Sequence, residues 1–232
     1  MTMGLILLAV MAVALLFDTG RHAFRGIGIP VWMALLTIIA FAIGISVPYI
    51  TIGDNFVMSV GGFVIPIIAM VVLLVILIRK NSVLRGVASM LAVVSATTVI
   101  LLVMPTDSTW LAVLTSVVIG LIAGALGYIV GRSNTAAIFA VTGGISVGNV
   151  VYAFIYYFAW GGSVFTLGQP IVYNAIFVGA IFALALCTLT VMAGKFMDDG
   201  RFRSRASSFE SSRDFGYEDH VGEDDDFTDD LF

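Results

Sequence analysis

The 62 residues from Ser133 to Gly194 contain no charged side chain, and no other feature limits the fold of this chain so strongly. An ordinary soluble domain carries a charge at roughly one residue in four. A single helix of this length would be about three times longer than the bilayer core is thick. The stretch therefore predicts two membrane-spanning helices, divided by the Gly- and Pro-containing segment from Trp160 to Pro170.

The remainder of the chain has the same character, with 60% apolar residues, 11% charged residues and a mean hydropathy of +1.08 overall. The fold class predicted is all-α, a polytopic bundle of seven transmembrane helices. The number becomes six if the first segment, which is short for a span of about 20 residues, only lies at the interface. The predicted spans are Met3 to Phe17, Gly26 to Val47, Phe56 to Ile78, Gly86 to Met104, Thr109 to Gly131, Thr135 to Ala159 and Ile171 to Ala193.

Charge divides the chain into two expected domains. Residues 1–194 carry a net charge of +3 and form the transmembrane domain, whereas residues 195–232 carry −7. The acidic, Ser-rich tail has too few apolar residues to repay chain ordering, so we expect it to be disordered. Its basic start, Arg201 to Arg205, suits either anionic lipid headgroups or a plain stop-transfer flank.

All eleven Lys and Arg residues fall in alternate loops or in the tail, which places them on one side of the membrane. Basic residues near the ends of spans favour the cytoplasm. The distribution therefore predicts a protein of the cytoplasmic membrane with its N-terminus outside and its C-terminus in the cytoplasm.

The sequence offers little catalytic chemistry. No Asp or Glu lies inside a predicted span, the two His are far apart, and Cys187 is the only cysteine. The run Gly144-Ile145-Ser146-Val147-Gly148 matches a hydrolase nucleophile pattern, but small residues at a helix contact are the favoured interpretation because no base accompanies Ser146. We expect no enzyme activity, cofactor, metal ion or nucleic-acid partner. The expected partners are the lipid bilayer, a second copy in a homo-oligomer and a basic cytoplasmic protein bound by the tail.

Glycines mark the places where helices can approach closely or break. Gly120, Gly124, Gly127 and Gly131 share one face of the fifth predicted span and indicate close helix packing. Two doublets, Gly61-Gly62 and Gly143-Gly144, lie early in the third and sixth spans.

If spans two to four and five to seven form an inverted three-helix repeat, paired glycine breaks of this kind point to a binding site near the bilayer midplane. A chance coincidence of Gly-rich helices is the alternative interpretation. The candidate solute-binding residues are Gly61, Gly62, Gly143, Gly144, Ser146, Asn149 and Asn174, with Ser59 and Thr142 as further polar lining groups.

Two segments, Val60 to Pro66 and Gly168 to Gly179, resemble motifs of an uncharacterised family of polytopic prokaryotic membrane proteins of unknown function. The family pattern carries an Asp where this chain has Asn174. The resemblance implies a cytoplasmic-membrane protein without an assigned activity.

Two functional classes follow from these features. The first is transport of a small neutral or weakly charged solute past hydroxyl, amide and backbone groups. The alternative is a membrane scaffold that recruits a cytoplasmic partner through its acidic, aromatic tail.

Overall fold

The computed structural model describes residues 31–52, 54–104, 108–162 and 164–190, and within these ranges the chain is mostly helical. The first predicted span, Met3 to Phe17, and the predicted acidic tail lie outside the described residues. The helices are α1 (Val31–Ser46), a π-helix (Val60–Val64) that continues into α2 (Ile65–Arg79), α3 (Val83–Val103), α4 (Thr109–Gly131), α5 (Asn134–Ala159) and α6 (Pro170–Thr190).

Five of the helices in the described ranges are long and apolar enough to cross a membrane. They are the continuous π-helix and α2, followed by α3, α4, α5 and α6. Large apolar side chains such as Ile39, Ile78, Leu91 and Ile129 are more than half exposed, as on helices whose outer faces meet lipid. The chain thus has the helices of a membrane protein, while the total of seven spans and the inverted repeat stay predictions.

Several helix ends follow directly from capping residues. Ser108 precedes α4, and its hydroxyl oxygen accepts a hydrogen bond from the N–H of Leu111 at 3.2 Å. Ser133 does the same for Ala136 at the start of α5. Each cap satisfies one of the backbone donors that a helix leaves without an internal partner. The bounds of α4 are those predicted from sequence.

The predicted start of the third span was wrong. Phe56 was expected to begin a helix, but residues Phe56–Met58 form a β-strand, and the helix begins at Val60. Short apolar runs have the same composition in a strand and in a buried helix, so they give no local signal of the difference. The strand forms because partners come from elsewhere in the chain.

These partners make a three-stranded sheet in the order β1 (Ile50–Ile52), β2 (Phe56–Met58), β3 (Phe165–Leu167). Strands β1 and β2 are antiparallel, whereas β2 and β3 are parallel. Phe56 is opposite Phe165 in the register, and their rings stack with centroids 5.5 Å apart. The sheet ties the segment before α2 to the segment before α6.

The π-helix begins immediately after this sheet. The Ser59 hydroxyl oxygen caps it by accepting a hydrogen bond from the N–H of Gly62 at 3.2 Å, and both Gly61 and Gly62 are buried. A Cβ on Gly61 would lie 2.7 Å from the backbone N of Ile45 in α1. The absence of side chains at this doublet lets α1 approach the backbone of the π-helix.

Helix α5 is the central element of the bundle, and small residues mark its contacts. Cβ positions at its Gly144 and Gly148 would lie within 3 Å of Val93 and Thr97 in α3. Helix α4 also contributes a glycine to its contact with α5: a Cβ on Gly127 would lie 3.0 Å from the carbonyl oxygen of Ala137. Glycines on both sides therefore let the helix axes come closer than ordinary side chains allow.

The glycine face of α4 is occupied within the chain. A Cβ on Gly120 would lie 2.8 Å from the carbonyl oxygen of Ala175, and one on Gly124 would lie 2.8 Å from that of Gly179. Both acceptors belong to α6. Gly127 and Gly131 of the same face meet α5 instead. The packing role predicted for this face is therefore the observed one, and its partners are two helices of the same chain.

Candidate solute site

Asn149 is the most deeply buried amide among the predicted site residues, with 1% of its surface exposed. Its side-chain oxygen accepts a hydrogen bond from the backbone N–H of Gly168 at 3.0 Å. Its side-chain nitrogen, Nδ2, has no hydrogen-bond partner. A buried amide donor without a partner is unfavourable by about 1–3 kcal/mol, so its presence in the centre of the bundle needs a reason.

Gly168 joins Asn149 to the glycine doublet of the π-helix. Its backbone is left-handed, with φ at 74°, and it packs directly on Gly62. A Cβ on Gly168 would lie 2.7 Å from the carbonyl carbon of Gly62. One residue earlier, the Leu167 carbonyl oxygen accepts a hydrogen bond from the N–H of Ser59 at 3.0 Å. Ser59, Gly62, Gly168 and Asn149 thus form one connected group, called here the Asn149 junction.

The junction lies deep along α5. Asn149 is about 4 Å from the midpoint of α5 and about 15 Å from its Ala159 end, at 1.5 Å per residue. The chain therefore turns back from Ala159 towards the helix centre before α6 begins at Pro170. Both the π-helix and α6 begin beside the Asn149 junction. Non-helical backbone at such depth is tolerated where protein or a water-filled cavity surrounds it.

The second glycine doublet lies elsewhere in the bundle. Gly143 and Gly144 are part of the regular helix α5, and their Cβ positions face Met70 of α2, Met90 and Val93 of α3. The first doublet faces α1 and Gly168 instead. The structure therefore brings Gly62 close to Asn149 but separates the two doublets, which the sequence argument had placed together.

The hydroxyl groups near the junction differ in how they are satisfied. The Ser146 hydroxyl donates to the Thr142 carbonyl oxygen of its own helix at 2.7 Å. The Thr98 hydroxyl donates across the α3–α5 contact to the carbonyl oxygen of Gly148 at 3.2 Å. Thr97 Oγ1, which is also buried, has no hydrogen-bond partner. The threonine pair of α3 was not singled out by the sequence argument, although two adjacent hydroxyls in an apolar span are a signal of helix contact.

Asn174 lies in the first turns of α6 and is 8% exposed. Its side-chain oxygen has no hydrogen-bond partner, so it does not bond to the donor of Asn149 that also lacks one. The two amides therefore offer one buried donor and one buried acceptor that the described contacts leave unused.

Two cavities lie near the Ala159 end of α5. The first has a volume of about 590 Å³ and lies beside the three-stranded sheet, and the second, of about 580 Å³, lies next to the Asn149 junction. The second cavity reaches Ala153, one helical turn from Asn149, and Gln169, the neighbour of Gly168. Asn149 itself does not line it. Most of its lining comes from the outer ends of α3 and α5 and the segment before α6: Leu101, Leu102, Val103, Met104, Tyr152, Tyr156, Trp160, Val164 and Thr166.

Gly168 is the residue of the junction that the site prediction missed. It lies 19 positions from Asn149, in a segment that the sequence analysis treated as a break between spans and as the start of a family-like motif, but not as part of a site. Its signal in the sequence is the Gly-Gln-Pro run, because a glycine two residues before a helix-starting proline is suited to left-handed backbone.

Within the described ranges, no three His, Cys, Asp or Glu side chains lie together as a metal site would require. No family model, curated protein or solved structure matches this chain. The resemblance of residues 60–66 and 168–179 to an uncharacterised membrane family therefore stays a prediction.

Proposed function

We propose that this chain is a multi-pass protein of the cytoplasmic membrane that passes a small neutral solute along α5 at the Asn149 junction. The observation that carries the proposal is the partnerless side-chain nitrogen of Asn149, buried one helical turn below a cavity of about 580 Å³. A solute with a carbonyl or hydroxyl oxygen would accept the hydrogen bond that the protein leaves unused.

The surroundings of Asn149 favour a neutral solute over an ion. The charged residues of the described helices lie at helix ends, with Arg79 in the last turn of α2 and Arg85 in the first turn of α3. A bare ion would have to leave water without a counter-charge, whereas an uncharged solute needs only hydrogen bonds and apolar contact. An enzymatic role has no comparable support from the described side chains.

The broken backbone also favours transport over a purely structural role. Transporter sites are commonly built where helices are interrupted near their middle, because freed backbone groups can contact the solute. Here the π-helix and α6 both begin next to Asn149, and the chain between β3 and α6 lines the cavity above it. The alternative scaffold role rests on the acidic tail, which lies outside the described residues.

The proposal is tested by reconstituting the purified protein in liposomes and following osmotic swelling by stopped-flow light scattering. We expect faster swelling with small neutral solutes such as urea or glycerol than in protein-free liposomes, and no increase with potassium chloride. Asn149→Leu should abolish the increase. Asn134→Leu, the same substitution at the start of α5, should retain it.

Protein incorporation is measured for each variant, so that loss of folding is separated from loss of flux. Swelling equal to that of protein-free liposomes for every neutral solute would overturn the proposal and favour the scaffold role. Full activity of an abundant Asn149→Leu protein would remove Asn149 from the pathway.

A further inference from the structure

The first cavity, of about 590 Å³, is an open groove between the three-stranded sheet and the end of α5. Five aromatic rings line it, and Asp54 and Asn55 lie at its edge. The rings come from two strands and one helix, and they are Phe56, Phe154, Tyr157, Phe158 and Phe165. The Asn149 junction shares none of these residues. This groove is called here the aromatic groove.

The rings of the aromatic groove face in different directions. Phe165 meets Phe154 at 89° and Tyr157 at 81°, with centroids 6.0 Å apart in both pairs. Tyr157 and Phe158 meet at 81° with centroids 5.1 Å apart. Phe56 stacks on Phe165 at 13°, and Phe154 and Phe158 are tilted at 34°, so the groove combines stacked and perpendicular rings. Phe154 and Phe158 are more than half exposed and are accessible to a ligand. Exposed ring faces attract a cation through their negative quadrupole.

The sheet holds this arrangement in place. Phe56 and Phe165 are register partners on β2 and β3, and the N–H of Phe165 donates to the Asn55 carbonyl oxygen at 2.7 Å. The groove thus exists because the parallel pairing of β2 and β3 brings residues more than 100 positions apart together. The pairing holds Phe56 and Phe165 in place before any ligand arrives, which reduces the ordering that binding requires.

Asp54 gives the groove its charge. It is the only Asp or Glu within the described ranges, and it is exposed. The described basic residues do not neutralise it, since Arg79 and Lys80 lie at the far end of α2, about 30 Å along the helix, and Arg85 and Arg132 lie at that same end of the bundle. A carboxylate and exposed aromatic rings that line the same groove are the combination that recognises an organic cation.

We propose that the aromatic groove binds a quaternary ammonium group. The methyl groups of such a cation contact the rings, and its charge is compensated by Asp54 without the directed hydrogen bonds that a primary amine requires. The source of the ammonium group is either a free solute or the headgroup of a choline lipid, because the groove opens at the end of the bundle where headgroups would lie.

The test measures binding of radiolabelled choline to the full chain, purified in a maltoside detergent that contains no quaternary ammonium. Tetramethylammonium should compete, whereas 3,3-dimethylbutanol, the uncharged carbon analogue of choline, should compete about tenfold less well. Equal competition by the two would overturn the proposal, since it would show an apolar surface that does not recognise charge. Absence of choline binding would overturn it as well.

Two variants connect the binding to the groove. Asp54→Asn removes the charge at an exposed position, and Phe158→Leu removes a ring that is 67% exposed, so neither change disturbs the core. Each should weaken choline binding by about tenfold. Trp110→Leu is the matched control, because this ring is 76% exposed and lines neither the groove nor the second cavity. Unchanged binding in both groove variants would contradict the assignment.

The source of the ammonium group is distinguished in nanodiscs. If the ligand is a lipid headgroup, phosphatidylcholine nanodiscs should suppress binding of free choline compared with phosphatidylglycerol nanodiscs. If it is a free solute, the two should give the same binding. Either result supports the site, and neither depends on solute flux past Asn149.

Discussion

The side-chain oxygen of Asn149 accepts a hydrogen bond from the backbone N–H of Gly168 at 3.0 Å, 19 residues further along the chain. This bond fixes the orientation of the amide, because an amide nitrogen in that position would place donor against donor. The nitrogen is therefore directed away from Gly168, into a buried region where it has no partner. The site proposed here depends on that orientation.

Gly168 should tolerate alanine less well than another glycine with the same backbone. Gly161 and Gly168 are both left-handed, with φ at 69° and 74°, but only Gly168 has atoms near its Cβ position. Gly161→Ala should lower stability by about 1 kcal/mol through backbone strain. Gly168→Ala should lower it by at least about twice as much, because its Cβ also overlaps Gly62. Thermal denaturation in detergent compares the two, and equal midpoints would show that the Gly62 contact is loose.

Two buried helical glycines should respond differently to the same change. A Cβ on Gly124 would lie 2.8 Å from the backbone oxygen of Gly179, which cannot withdraw without moving α6. A Cβ on Gly143 would lie 2.8 Å from the sulfur of Met70, a flexible side chain. We expect Gly124→Ala to destabilise the protein by about 1–3 kcal/mol. Gly143→Ala should be close to neutral, because higher helix propensity offsets the small rearrangement.

Thermal denaturation in detergent again provides the measurement. If Gly143→Ala is the more damaging of the two, the assignment of a flexible neighbour at Met70 is incorrect.

The two adjacent threonines of α3 should differ in how loss of the hydroxyl changes the stability of the protein. Thr97 Oγ1 is buried without a partner, whereas Thr98 Oγ1 donates to Gly148. Thr97→Val keeps the shape and removes the buried polar atom, so it should raise stability by about 1 kcal/mol. Thr98→Val should lower stability by about the same amount. Denaturation midpoints in detergent provide the measurement, and a lower midpoint for Thr97→Val would show that Thr97 has a partner in the folded protein.

The orientation in the membrane is tested by cysteine labelling in a Cys187→Ser background. Ser163→Cys should react with a membrane-impermeant maleimide added to intact cells. Ser82→Cys, next to the basic residues Arg79 and Lys80, should react only after permeabilisation, because basic loops favour the cytoplasm. The reverse pattern would contradict the predicted topology.

The sequence predicts the helices more completely than it predicts the Asn149 junction. Helix α4 begins after the Ser108 cap and ends just before Arg132, the first charged residue after an uncharged run, and both are local signals. The strand Phe56–Met58 could not be predicted in this way, because its partner β3 lies more than 100 residues away. Local pattern carries no information about such pairing.

The candidate site was predicted only in part, because it too depends on contacts between residues that are distant in the sequence. Asn149 was selected as the strongest polar group near the second glycine doublet, and the structure gives it a backbone partner and an unused donor. The two glycine doublets look equivalent in the sequence. In the structure Gly62 belongs to a π-helix and meets Gly168, whereas Gly144 belongs to a regular helix and meets Val93. The difference arises from tertiary packing, which a dipeptide does not encode.

The most direct test of the central claim is the pH dependence of solute flux in Asn149→Asp proteoliposomes. The variant keeps the oxygen that accepts from Gly168. Its carboxyl is a donor in place of Nδ2 only while protonated, which low pH favours. The variant should pass the solute faster at about pH 4 than at about pH 8, whereas the wild type should stay constant. Flux in Asn149→Asp that matches the wild type at every pH would contradict a role for the Asn149 donor in passing the solute.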